Sequence, residues 1–158
     1  MLLNKLNKII LALTVTLFLG ACATQQKATT TPTDDAYTGT ETVKYLADGV
    51  PDRVFFATNK SDLTSAASAT LAKQAAYLKA NPNLNVVLEG HADERGTREY
   101  NLALGERRAT AAKNYLISNG IAAYRIKVIS YGKEKPANPA SNALAWSQNR
   151  RAVTVKTN

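Results

Sequence analysis

Residues 84–116 read LNVVLEGHADERGTREYNLALGERRATAAKNYL, and the change of period inside this stretch decides the fold. Leu84, Val86 and Leu88 alternate with Asn85, Val87 and Glu89, which is the two-residue period of a strand with one face in a core over Leu84–Glu89. A polar run follows, Glu89 to Gly96, and Thr97 leads into a segment of helical spacing over Glu99–Asn119. Gly120 closes that segment as a residue able to take the left-handed conformation after a last turn. Working outward, Asp52–Ala57 (DRVFFA) predicts a strand, with Asn59, Lys60 and Ser61 as its turn. Thr64–Ala80 predicts a helix with Ala67, Leu71, Ala75 and Leu78 on one face, stopped by Asn81-Pro82. Arg125–Ser130 predicts a strand, Ala140–Gln148 a short helix, and Arg151–Lys156 a last strand with Val153 and Val155 inward. Strands alternating with helices predict an α/β sandwich of one domain, a mixed sheet covered by helices on one face.

On a helical wheel of residues 100–117, Arg108 and Asn101 fall in the middle of the apolar half, whereas Arg107 points outward. A guanidinium on a core-facing stripe keeps its proton, so a carboxylate or phosphate partner is expected for Arg108. The loop at the strand exit offers Asp93, and such loops are where a rigid sheet displays ligand groups. Two arrangements are open. Asp93 and Arg108 pair with each other, or they face one cleft and hold a zwitterion, Asp93 on its ammonium and Arg108 on its carboxylate.

Composition narrows the chemistry. The chain has 158 residues, 20 Lys and Arg against 12 Asp and Glu, one His and one Cys. One Cys excludes an intramolecular disulfide and any zinc site with two thiolates. One His, His91, removes most metal and triad chemistries, and its imidazole is expected to bond the loop or border the pocket. Asp93 and Glu94 are adjacent carboxylates that should diverge on an extended loop, which argues against a glycan-cleaving pair. Trp146 is expected to be a core or helix-packing residue. The net charge of +8 calls for an anionic partner. Lys133, Lys135, Arg150 and Arg151 lack interleaved aromatics or a nucleic-acid fold motif, so a solvated face or one suited to an anionic wall is expected, not nucleic acid.

The N-terminus reads as an address. Lys5 and Lys8 precede an apolar run, Ile9 to Leu19, which as a helix spans only ~15 Å of a bilayer core of about 30 Å. This is a secretory signal pattern. It ends in Leu19-Gly20-Ala21-Cys22, which resembles the bacterial lipobox and implies cleavage before Cys22 and acylation of that residue. Ala23, where an Asp would favour inner-membrane retention, implies the outer membrane. Loss of residues 1–21 removes two lysines and takes the net charge from +8 to +6. Residues 22–42 carry eight Thr and few large apolar side chains, and predict a lipidated flexible tether with a coil span of roughly 25 Å and a stretched limit near ~70 Å. The binding domain is then 43–158.

The stretch GHADERGTREYNLALGERRA, with VFFATNKSDL upstream and SYGKEKPAN and NRRAV downstream, resembles the OmpA-like peptidoglycan-binding domain family over residues 43–158. The resemblance implies a βαβαββ-type sandwich in which Asp93 and Arg108 clasp the diaminopimelate of the peptidoglycan stem peptide. It places Asn101 and Leu104 on the pocket floor. Asn59, in Thr58-Asn59-Lys60, stands where the family commonly has an acid, which bears on that residue's share of the contacts. The resemblance further implies a lipid-anchored outer-membrane protein facing the periplasm, without cofactor, metal or catalytic residues. Its partners would be peptidoglycan and the Tol proteins, including the β-propeller protein TolB, in envelope integrity and outer-membrane constriction at division. Arg108→Ala and Asp93→Ala are each expected to weaken sacculus binding at least tenfold in a folded domain. The alternatives are an OmpA-like lipoprotein outside the Tol system, or a peptidoglycan-cleaving enzyme.

Overall fold

The computed structural model describes residues 35–157; the apolar leader, Cys22 and most of the Thr-rich segment lie outside the described residues. A short hairpin, β1 (Tyr45–Ala47) and β2 (Val50–Pro51), leads into β3 (Arg53–Phe55). Then follow α1 (Ser65–Ala80), β4 (Val86–His91), α2 (Arg98–Ser118), a 3₁₀ turn (Ala123–Arg125), β5 (Ile126–Gly132), α3 (Ala143–Asn149) and β6 (Arg151–Lys156). β3, β6, β4 and β5 form one sheet in that order, antiparallel except for the parallel β4–β5 pair. The mixed α/β sheet expected from the alternation is present.

Local chemistry explains the boundaries. Thr64 caps α1 by accepting from the Ala67 amide at 3.1 Å, and Thr97 caps α2 by accepting from Tyr100 at 3.2 Å. α2 ends in a Schellman motif: Gly120 has φ +85, its N–H donates to Ile117, and the Ile121 N–H reaches back to Leu116. α3 begins three residues later than expected because Asn142 caps it, accepting from the Ala145 amide at 2.9 Å. The β1–β2 hairpin was not anticipated, although its Asp48-Gly49 turn, with φ +68 at Gly49, is a strong hairpin signal.

The core lies between the sheet and the helices. Ala67, Leu71, Ala75 and Leu78 of α1, with Ala109, Ala112 and Leu116 of α2, pack on Val54, Val86, Leu88, Ile126 and Ala152. On β6 the sequence expectation needs correcting. Ala152 and Thr154 face the helices, paired with Val54 and Leu88; Val153 is buried on the opposite face and Val155 is 37% exposed. Thr154 is tolerated in the core because its hydroxyl donates to Gln74 Oε1 at 2.7 Å. An alternating polar residue was therefore the inward one.

α2 approaches the sheet more closely than side chains would allow. A Cβ built on Gly90 of β4 would overlap the Gly105 carbonyl of α2, and one on Gly105 would lie 2.9 Å from the Gly90 oxygen. This glycine-on-glycine contact brings the N-terminal half of α2 down over the ends of β4 and β5, where the loop leaving β4 begins.

Candidate ligand-binding site

Arg108 is fully buried and Asn101 is 2% exposed, whereas Arg107 is exposed, as the wheel required. The partners of Arg108 differ from expectation. Its Nε donates to the Lys60 carbonyl at 2.8 Å, Nη1 to that of His91 at 2.9 Å and Nη2 to that of Ala57 at 3.0 Å. Among the described residues no carboxylate, that of Asp93 included, pairs with it directly. Three carbonyl dipoles satisfy the charge because the turn after β3 and the end of β4 present their oxygens to one point. Burial, reinforced by repulsion from Arg150, lowers the guanidinium to about 10, with Asp93 opposing; it stays protonated at neutral pH. Five guanidinium N–H groups less three leaves one on each Nη.

Asp93 is 7% exposed, one loop away. Its Oδ2 takes the Arg95 Nη2 at 2.7 Å and lies 3.5 Å from Arg150 Nη1; its Oδ1 accepts the Arg95 amide at 3.1 Å. Burial alone would raise this carboxyl, but the Arg95 hydrogen bonds and the charges of Arg95 and Arg150 outweigh it and hold it below the usual range. Asn101 donates from Nδ2 to the Arg95 carbonyl at 2.8 Å and so pins the loop to α2, with the buried Leu104 one turn further on. Asn59 is exposed with φ +56, a left-handed turn position that Asn accepts more readily than most residues.

Four residues not expected at the site from the sequence belong to this cluster: Arg150, Arg95, Thr58 and Asp35. Arg150 is 3% exposed and not part of a solvated face: its Nε donates to the Phe56 carbonyl at 3.0 Å and its Nη2 meets the Asp35 carboxylate at 3.1 Å. Arg151, 6% exposed, is buried too. Arg95 lies across Asp93. Thr58 donates its amide to Asp35 Oδ1 at 2.7 Å and its hydroxyl to Asp35 Oδ2. Arg150 lies two residues before Ala152, an inward strand residue, and so falls on the same face.

Glu94 and Trp146 support the loop from outside. Glu94 Oε1 accepts the Trp146 indole N–H at 2.8 Å and the Ser141 hydroxyl at 2.5 Å, and the Arg95 guanidinium lies 4.4 Å from the indole centroid. Trp146 is thus half-buried and braces the loop; it is not a core residue. Asp93 and Glu94 turn to different partners. His91 is 2% exposed, stacks on Tyr131 at 5.6 Å and finds no hydrogen-bond partner for either ring nitrogen among the described residues, so it does not bond the loop. Burial and then the charges of Arg151, Arg53 and Lys135 lower it to about 3, against a weak opposing pull from the Lys135 backbone. Among the described residues no group of three or more His, Cys, Asp or Glu is placed to hold a metal ion.

Residues 55–150, which include Asn59, Asp93, Arg95, Asn101, Leu104, Arg108 and Arg150, match the OmpA family model. The chain belongs to the OmpA family. Its resemblance to proteins named peptidoglycan-associated lipoprotein extends well beyond that domain. The one from Rhizobium meliloti (strain 1021) is 47% identical over 156 residues, covering 94% of this chain and 87% of the relative. The crystal structure of the peptidoglycan-associated lipoprotein from Burkholderia pseudomallei is 38% identical, with a TM-score of 0.65, over 67% of this chain and 90% of that one. The C-terminal domain of Helicobacter pylori MotB shares the OmpA-family fold at 16% identity and a TM-score of 0.63, over 68% of this chain and 84% of that one.

Proposed function

We propose that this protein is an outer-membrane lipoprotein whose OmpA-family domain binds peptidoglycan without cleaving it. The observation that carries the reading is the convergence of a buried, charged Arg108 and a buried, ionised Asp93 on the same end of the sheet. The relatives named peptidoglycan-associated lipoprotein support the choice of polymer. The free end of diaminopimelate carries an ammonium and a carboxylate on one carbon. Asp93 takes the ammonium, and the two unused N–H groups of Arg108 take the carboxylate, a geometry a lysine at 108 would not reproduce. Asn101 holds the loop that carries Asp93, Leu104 packs beneath it, and Asn59 adds a neutral rim.

The divergence of Asp93 and Glu94 favours binding over hydrolysis, since neither carboxylate is set to share a glycosidic bond with the other. The anchor is Cys22, carried by acyl chains that each contribute ~0.8 kcal/mol per buried CH₂, with residues 22–42 as the leash. Within this reading the protein serves the Tol–Pal system in envelope integrity and outer-membrane constriction, with TolB as a partner. Co-sedimentation with purified sacculi tests the function: the protein pellets and no soluble muropeptide appears. Release of muropeptides, or protein left in the supernatant, contradicts it.

A further inference from the structure

The site is closed by the protein's own charges. Asp35, from the segment preceding the domain, places its carboxylate on the Thr58 amide at 2.7 Å, on the Thr58 hydroxyl and on Arg150 Nη2 at 3.1 Å. Its backbone carbonyl accepts a second bond from Arg150 at 2.7 Å. Two residues on, the Tyr37 ring packs edge-on against Phe55 at 4.8 Å, and Gln148 donates to its hydroxyl at 3.3 Å. Arg95 completes the arrangement: its guanidinium bonds Asp93 at 2.7 Å and reaches the Thr58 hydroxyl at 3.4 Å. A carboxylate and a cation thus sit side by side across Thr58, both supplied by the chain itself.

We propose that Asp35 and Arg95 form an internal stand-in for a zwitterionic ligand, so that the base of the tether and the peptidoglycan stem occupy the site alternately. This rests on the diaminopimelate reading given above. An incoming ammonium must displace Arg95 from Asp93, which also takes Arg95 off Thr58. The incoming carboxylate then competes with Asp35 for the donors grouped around Thr58, Arg150 and the adjoining Arg108. Burial works against the Asp35 carboxylate, yet the Thr58 bonds and Arg150 hold its pKa below the ordinary value, so the group is charged whenever a ligand is present. Release of residues 35–42 would add roughly 25 Å of extended chain to the leash as the domain engages the wall. Binding and reach become one event.

The latch reduces apparent affinity by the fraction of molecules in which it is open, so removing it tightens binding by roughly three- to tenfold. The test is calorimetric titration of the full chain in detergent with the tripeptide L-alanyl-D-glutamyl-diaminopimelate. Asp35→Asn is compared with wild type and with Asp48→Asn, which removes the same charge from an exposed hairpin turn. Asp35→Asn should bind three- to tenfold tighter, Asp48→Asn like wild type, and the Thr58 amide should exchange faster in ligand-free Asp35→Asn. Equal binding of wild type and Asp35→Asn, an equal gain in Asp48→Asn, or an unchanged Thr58 exchange rate overturns the latch alone. Absence of binding by all three proteins overturns the diaminopimelate reading, and the latch with it.

Discussion

The Nη1 of Arg108 donates to the carbonyl oxygen of His91 at 2.9 Å, and this bond ties the buried face of α2 to the end of β4. With the bonds to Ala57 and Lys60 it makes one guanidinium the joint between the turn after β3 and the loop after β4, the two walls of the candidate site. Arg108 is therefore structural before it is functional.

Arg108→Ala should cost more than ligand affinity. It strands three carbonyls and leaves a cavity beside Phe56, for a loss of roughly 3–5 kcal/mol in folding stability. Urea unfolding measures this, and a variant as stable as wild type would show the three bonds to be dispensable. Asp93→Asn is the cleaner probe of binding, since Arg150 keeps its bonds to Phe56 and Asp35.

Gly105→Ala should destabilise the domain although alanine is the better helix former. The propensity gain is about 1 kcal/mol, while pushing a methyl against the Gly90 carbonyl, which cannot swing aside, costs roughly 1–3 kcal/mol. Gly90→Ala, facing a backbone carbonyl at closer range, should be the worse of the two. Thermal melts of both variants check the order.

His91 should make stability fall with acid well above the carboxylate range. Its folded pKa of about 3 lies below the unfolded value of 6.5, so between those limits the unfolded chain holds more protons and stability rises with pH. The contribution is complete above pH 6.5 and is lost as pH falls toward 3, with roughly 2 kcal/mol gone between pH 6.5 and 4.5. Denaturant unfolding across that window should lose this slope in His91→Phe, which keeps the ring beside Tyr131.

Trp146 is the only tryptophan and carries the Arg95 guanidinium on its ring. If a ligand ammonium displaces Arg95 from Asp93, indole fluorescence should shift in proportion to occupancy, with the midpoint matching the binding constant. Saturation without a fluorescence change would mean that Arg95 stays in place.

The elements were legible because their periods are clean, and the buried position of Arg108 followed from angular position alone. Its partners were not, since carbonyls carry no sequence identity. Arg125 repeats the lesson: 8% exposed, it donates to the carbonyls of Leu78, Asn81 and Leu84 and pins the end of α1 through main-chain oxygens. Arg150 was hidden in a basic doublet that composition assigns to the surface, and Asp35 in a Thr-rich run with no core residues of its own. Both act through tertiary contacts spanning up to 115 positions, which no local pattern encodes. Thr154 shows the same limit on β6, where a hydroxyl took the inward place through one bond to Gln74.

The most direct measurement is sedimentation of wild type and Asp93→Asn with two kinds of purified sacculi, one built on diaminopimelate and one on lysine, whose stem lacks the second carboxylate. Wild type should pellet with the diaminopimelate wall at least tenfold more efficiently than with the lysine wall, and Asp93→Asn, which loses the ammonium contact common to both stems, should pellet at least tenfold less with the diaminopimelate wall than wild type does. Equal pelleting of wild type with both walls, or undiminished pelleting of Asp93→Asn with the diaminopimelate wall, would contradict the zwitterion clasp.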